Sequence, residues 1–114
     1  MNNISNLNPQ IKKQSFDESE LVNQLFSADK EHLYSDMEGE AVILSLKNGK
    51  YYGVNSVGAY IWTTLQNPIS FQDIQAGVMQ EYSVDEETCR REVLVFLERM
   101  TEEGLVEVLD AKNS

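Results

Sequence analysis

The spacing of apolar positions changes twice along this chain. Within the first thirty residues, Leu21, Val22, Leu25 and Phe26 recur at helical spacing behind Asp17, Glu18 and Glu20, which predicts a short amphipathic helix over residues 17–27. The stretch before it, with Asn2, Asn3, Asn6 and Asn8 followed by Pro9 and the basic pair Lys12 and Lys13, has the composition of a flexible start. From Glu31 the apolar period shortens to two. Ala41 to Leu46 and Lys50 to Val54 read as strands on either side of Asn48-Gly49, a dipeptide that tolerates the positive φ of a two-residue type I′ turn. Such a turn pairs Leu46 with Tyr51, Ser45 with Tyr52, Leu44 with Gly53 and Ile43 with Val54, so both faces are apolar. A preceding strand at about His32–Met37, turning through Glu38-Gly39-Glu40, completes a three-stranded antiparallel meander.

After residue 54 the period lengthens again. Asn55 or Ser56 caps a first helix carrying Val57, Ile61, Trp62 and Leu65, which ends before Pro68. Ser70 and Asp73 form a capping box, with Ile69 and Ile74 placed for a hydrophobic staple, and Ile74, Val78 and Tyr82 give the second helix its buried stripe. Asp85 caps a third helix with Cys89, Val93, Phe96, Leu97 and Met100 on one side, and Gly104 fits a left-handed C-cap with Leu105 closing over it. Val106-Glu107-Val108 is compatible with a terminal strand, although nothing in the pattern decides it. The reading is α+β: a sheet followed by three helices, with residues 1–30 as an extension, 31–109 as one domain and 110–114 as a tail.

Composition narrows the function. The chain has 114 residues, enough for one domain, and a formal net charge of −10, which repels phosphate backbones and anionic lipid, so neither nucleic acid nor membrane is an expected partner. The N-terminal stretch has neither the basic start of a secretion signal nor an apolar run, which makes the cytoplasm the default compartment. A single cysteine, Cys89, excludes an internal disulfide and a structural zinc site, and its place on the apolar stripe reads as an inert buried thiol. His32 has no second histidine or cysteine partner and reads as a half-exposed strand residue. The sequence contains no phosphate loop, nucleophile elbow or paired-histidine motif. No enzyme activity, cofactor or metal is expected.

The run Gly49-Lys50-Tyr51-Tyr52-Gly53-Val54-Asn55-Ser56-Val57-Gly58-Ala59-Tyr60-Ile61-Trp62 resembles the hairpin-to-helix junction of the family typified by pyrroloquinoline quinone biosynthesis protein D, and so do Val93-Leu94-Val95-Phe96-Leu97 and Gly104-Leu105-Val106. The likeness spans roughly residues 31–108. It implies a winged helix-turn-helix-like arrangement that serves as a RiPP recognition element: a stand-alone protein, as in lasso peptide or quinone-cofactor biosynthesis, that binds the leader of a ribosomally made precursor. It also implies that the leader adds as a strand along Lys50, Tyr51, Tyr52, Gly53 and Val54, rests on the third helix, and is delivered to a leader peptidase, a cyclase or a radical SAM enzyme.

The residues themselves lend this some support. With Val93, Phe96 and Leu97 turned inward, Leu94 falls on a flank beside Arg90, and Val95 on the far side near Arg91. The Leu94 flank is the preferred groove wall, and Arg90 and Arg91 supply positive charge for an acidic leader residue. The plainer alternatives are that Leu94 packs on the hairpin, that the arginines pair with Glu86, Glu87 or Glu98, and that Gly53 only marks a bulge. Tyr51 and Tyr52 point to opposite faces, one to the groove and one, Tyr52, to the core. Two other functions stand beside this one. A winged-helix DNA binder would use residues 85–103, but these hold Asp85, Glu86, Glu87, Glu92, Glu98, Glu102 and Glu103 against three arginines, the wrong sign for phosphates. A structural adaptor would cover the two-sided apolar sheet with another protein or with the N-terminal helix.

Overall fold

In a computed structural model, which describes residues 21–38 and 40–110, local signals set most element boundaries. Asn55 caps helix α1 (Ser56–Thr64) by accepting from the Gly58 amide at 2.9 Å. Ser70 caps α2 (Phe71–Glu81) through the Asp73 amide at 3.1 Å, and Asp85 caps α3 (Glu86–Glu102) through the Thr88 amide at 2.7 Å. At the end of α3, Gly104 takes φ +81°, its amide bonds Thr101 O at 3.1 Å, and the Leu105 amide reaches Met100 O at 2.8 Å. These are the two bonds of a Schellman closure, and they turn the chain so that Leu105 enters the core.

The strands form two antiparallel sheets. In chain order they are β1 (Gln24–Ala28), β2 (His32–Met37), β3 (Glu40–Ser45), β4 (Tyr51–Val54), β5 (Ile69–Ser70) and β6 (Val106–Asp110). One sheet runs β2-β3-β4 and the other β5-β1-β6. The core between sheets and helices holds Phe26, Ile43, Ile61, Trp62, Leu65, Ile74, Val93, Leu97, Met100 and Leu105. His32 is half-buried against it, its Nδ1 within 2.6 Å of Asp29 O and its ring edge-on to Trp62 at 4.9 Å between centroids.

Two expectations need correction. Residues 24–28 are a strand instead of the end of a helix, and residues 17–20 of the predicted helix lie outside the described residues. Tertiary pairing overrides the helical spacing here: Phe26, fully buried, sits opposite Val108 on one side and Ile69 on the other, and β6 pairs with β1 from Asp110 to Val106. Residues 24–28 are therefore a sheet strand that places Phe26 in the core, and the strand that the pattern left undecided at residue 106 is their partner.

The second correction concerns the hairpin. Its loop is four residues long, Leu46 to Gly49, closed by the Ser45 amide on Lys50 O at 3.0 Å, and the register is Leu44 with Tyr51, Ile43 with Tyr52, Val42 with Gly53 and Ala41 with Val54. A type I′ turn needs positive φ at both central residues, but only Gly49 of the pair adopts it, at +74°. Asn48 is engaged otherwise: its Oδ1 accepts from the Lys50 amide at 2.8 Å and its amide donates to Ser45 Oγ at 3.3 Å. The slip is of two residues, so every side chain keeps the face that the sequence assigns to it.

Truncating Phe26 to Ala should lower unfolding free energy by about 3–5 kcal/mol in urea titrations, as for a well-packed core aromatic. An unchanged midpoint would mean that β1 is dispensable.

Candidate functional site

Backbone alternation defines the site. The Ser45–Lys50 bond sets the phase of the β3–β4 ladder, so Tyr52 and Val54 direct their N–H and C=O groups toward β3. Tyr51 and Gly53, in the non-bonded pairs, direct theirs away from the sheet. No strand among the described residues pairs with that side of β4. The result is a row of two amides and two carbonyls at one open edge.

Side chains alternate with the same period. Tyr51 is 68% exposed on the outer face, while Tyr52 is buried on the inner one and Val54 is half-buried beside it. The Tyr52 hydroxyl donates to Glu103 Oε1 at 2.8 Å and accepts from Asn48 Nδ2 at 3.0 Å, which ties the hairpin loop to the end of α3. Burial, reinforced by the bond to Glu103, raises its pKa above the ordinary tyrosine value. Gly53 has nothing within 4 Å of where a Cβ would stand, so the outer face of the sheet is open over this strand. Lys50 is exposed at the strand's start.

Past Val54 the chain enters α1, and a cavity of about 380 Å³ lies between the start of α1 and α3. Asn55, Val57, Gly58 and Ile61 line it from α1 and its cap, and Arg91, Glu92, Val95, Phe96 and Arg99 from α3. Gly58 is what lets the walls meet: a Cβ there would stand 3.1 Å from Val54 Cβ and 3.2 Å from Phe96 Cε1. The lining is therefore apolar at its base, with two cations and one anion at the α3 wall. Val95, at 58% exposure, is an apolar side chain held in water.

The structure separates the residues that the sequence grouped on α3. Arg91 lines the cavity. Leu94 is half-buried, packs against the core, and borders a second, 290 Å³ depression together with Glu87, Arg90 and Glu98. Arg91 and Val95 stand on the ridge between the two. The Leu94 flank thus borders the smaller depression, and the exposed wall of the larger cavity includes Arg91, Val95 and Arg99. Those three recur at intervals of four, a stripe legible in the sequence once the exposed apolar Val95 is taken as the signal.

The remaining reactive groups do not converge. Among the described residues there is no cluster of three or more His, Cys, Asp or Glu able to hold a metal. Cys89 is buried with its Sγ 3.6 Å from Gln75 O, and burial pushes the thiol's pKa up, away from the nucleophilic thiolate. No helix among the described residues is long and apolar enough to cross a membrane.

An open sheet edge beside an apolar-lined cavity is a surface to which an extended peptide can add as a strand. The family model described as coenzyme PQQ synthesis protein D (PqqD) matches residues 40–106, more than half of the chain, and the chain belongs to that family. Two solved structures share the fold. TbiB1 in complex with the TbiA(beta) leader peptide is 29% identical, with a TM-score of 0.63 over 71% of this chain and 94% of that one. A lasso peptide synthetase B1 complexed with the leader peptide is 22% identical, with a TM-score of 0.62 over 72% and 96%, and that likeness supports the fold alone. No curated protein matches the chain.

Cys89 should resist a thiol-specific chromogenic reagent in the native protein and react at full stoichiometry in denaturant. Fast native labelling would contradict the buried, protonated thiol.

Proposed function

We propose that this chain binds the leader segment of a ribosomally made precursor by strand addition at β4 and presents it to modifying enzymes: a leader peptidase, a cyclase or a radical SAM enzyme. The observation that carries the reading is the row of outward N–H and C=O groups on Tyr51 and Gly53, next to the cavity of Arg91, Val95, Phe96 and Arg99. A similar protein, TbiB1, has been solved with a leader peptide. In this reading β2–β4 with α1–α3 act as a winged-helix variant turned to peptide recognition. The chain does no chemistry itself, needs no cofactor, and works in the cytoplasm as a peptide chaperone.

Alternation assigns the roles. Tyr51 and Gly53 supply four main-chain bonds at about 0.5–1.5 kcal/mol each, and leader side chains opposite Tyr52 and Val54 point inward, where one or two apolar anchors add about 1.5–3 kcal/mol each. Ordering an extended peptide offsets much of this, leaving a Kd of roughly micromolar or somewhat tighter. Lys50 at the start of β4 and the exposed Arg91 and Arg99 on the cavity wall favour an acidic leader residue. Arg90 and Leu94 stand beyond the ridge and contact only a leader that crosses it.

Gly53→Pro removes an outward amide without touching the β3 ladder, a change that edge strands tolerate. It should weaken binding of the labelled cognate leader about tenfold in fluorescence anisotropy, whereas Gly53→Ala, with open space around it, should bind as the parent does. Val95→Asp should weaken binding comparably. Equal affinity across the three variants would place the leader elsewhere. Salt-sensitive binding of a DNA duplex in a gel shift would favour the regulator reading instead.

A further inference from the structure

The sheet has a second open edge, and its chemistry differs from the first. Since Ser45, Ile43 and Ala41 bond toward β4, Leu44, Val42 and Glu40 bond toward Leu33, Ser35 and Met37 of β2. Tyr34 and Asp36 therefore direct their N–H and C=O groups outward. Among the described residues no strand pairs with this edge either.

Beside the edge lies a cleft of about 290 Å³ lined by Tyr34 and Asp36 from β2, by Ser56, Ala59, Tyr60 and Thr63 from α1, and by Tyr82. Its aromatic walls are fixed in place. The Tyr82 hydroxyl donates to Ser56 O at 3.1 Å, and the Tyr60 and Tyr82 rings meet edge-to-face with centroids 6.0 Å apart. Tyr60 can lie against α2 because residue 77 is glycine: a Cβ there would stand 2.6 Å from the Tyr60 hydroxyl.

The charge here is of one sign. Asp36 lines the cleft, no Lys or Arg does, and Glu31, Glu38 and Glu40 flank the strand. A carboxylate on an edge strand repels an apolar strand and admits one that brings a cation. Tyrosine faces around a carboxylate are suited to an ammonium or guanidinium group. Residues 1–16 of the chain carry Lys12 and Lys13 and no acid, with Asp17, Glu18 and Glu20 directly after them, so the chain's own start is the competing occupant that the test below separates from a partner.

We propose that the β2 edge takes an extended segment of a partner protein, adding as a strand at Tyr34 and Asp36 and placing a lysine or arginine among Tyr34, Tyr60 and Tyr82 against the Asp36 carboxylate. This goes beyond leader binding and does not depend on it. The two edges are separated by the width of the sheet, so one molecule can hold an acidic extended segment on one side and a basic one on the other.

The test is amide chemical-shift mapping on the full-length protein, titrated with the synthetic peptide acetyl-Thr-Val-Lys-Val-Thr-amide and with its twin carrying glutamate for lysine. The lysine peptide should shift the Tyr34 and Asp36 amides and the surroundings of Tyr60 and Tyr82 saturably, and the glutamate peptide should not. Asp36→Asn, at an exposed position that leaves the fold intact, should weaken the lysine peptide about fivefold, the effect of roughly one partly solvated charge pair. Shifts confined to Tyr51 and Gly53, equal binding of the two peptides, or no saturable shift would each overturn the proposal. So would Tyr34 and Asp36 amides already protected from exchange in the free monomer, which would assign the edge to the chain's own N-terminal residues.

Discussion

The structure turns on the phase of one hydrogen-bond ladder. The bond from the Ser45 amide to Lys50 O decides that Tyr52 and Val54 are spent inside the sheet and that Tyr51 and Gly53 face out. A shift of one residue would reverse those roles and carry Tyr52 from the core to the surface. The buried Tyr52, bonded to Glu103 and Asn48, opposes that shift from the side-chain level. Main-chain pairing and core packing therefore specify the same edge.

Most of the helical half was legible because its signals are local. Asn55, Ser70, Asp85 and Gly104 act through neighbours within a few residues, and each stands where the sequence places it. The strand at Gln24–Ala28 was not legible, because its partners are more than forty residues away and its spacing imitates a helix. The hairpin was half legible: strands and faces were right, while the loop length depended on how Asn48 uses its side chain. On α3 the apolar run showed that more than one face is in use. Which flank borders the cavity depended on how close α1 comes, and Gly58 sets that approach.

The two edges of one small sheet divide the protein's charge. A chain of net charge −10 places Arg91 and Arg99 in the cavity just past the end of β4 and keeps the β2 side acidic. Extended peptides carry the same backbone whatever their sequence, so charge and pocket shape are the means by which such edges tell them apart. The family membership fits the same picture, since the matched residues 40–106 contain β4, all of α1 to α3 and the cavity between them.

The most direct measurement is residue-resolved amide exchange at β4 with and without the cognate leader. Tyr52 and Val54 should be protected in both states, while Tyr51 and Gly53 exchange freely alone and slow by at least about tenfold on saturation. Unchanged exchange at Tyr51 and Gly53 in a protein saturated with leader would contradict strand addition at this edge.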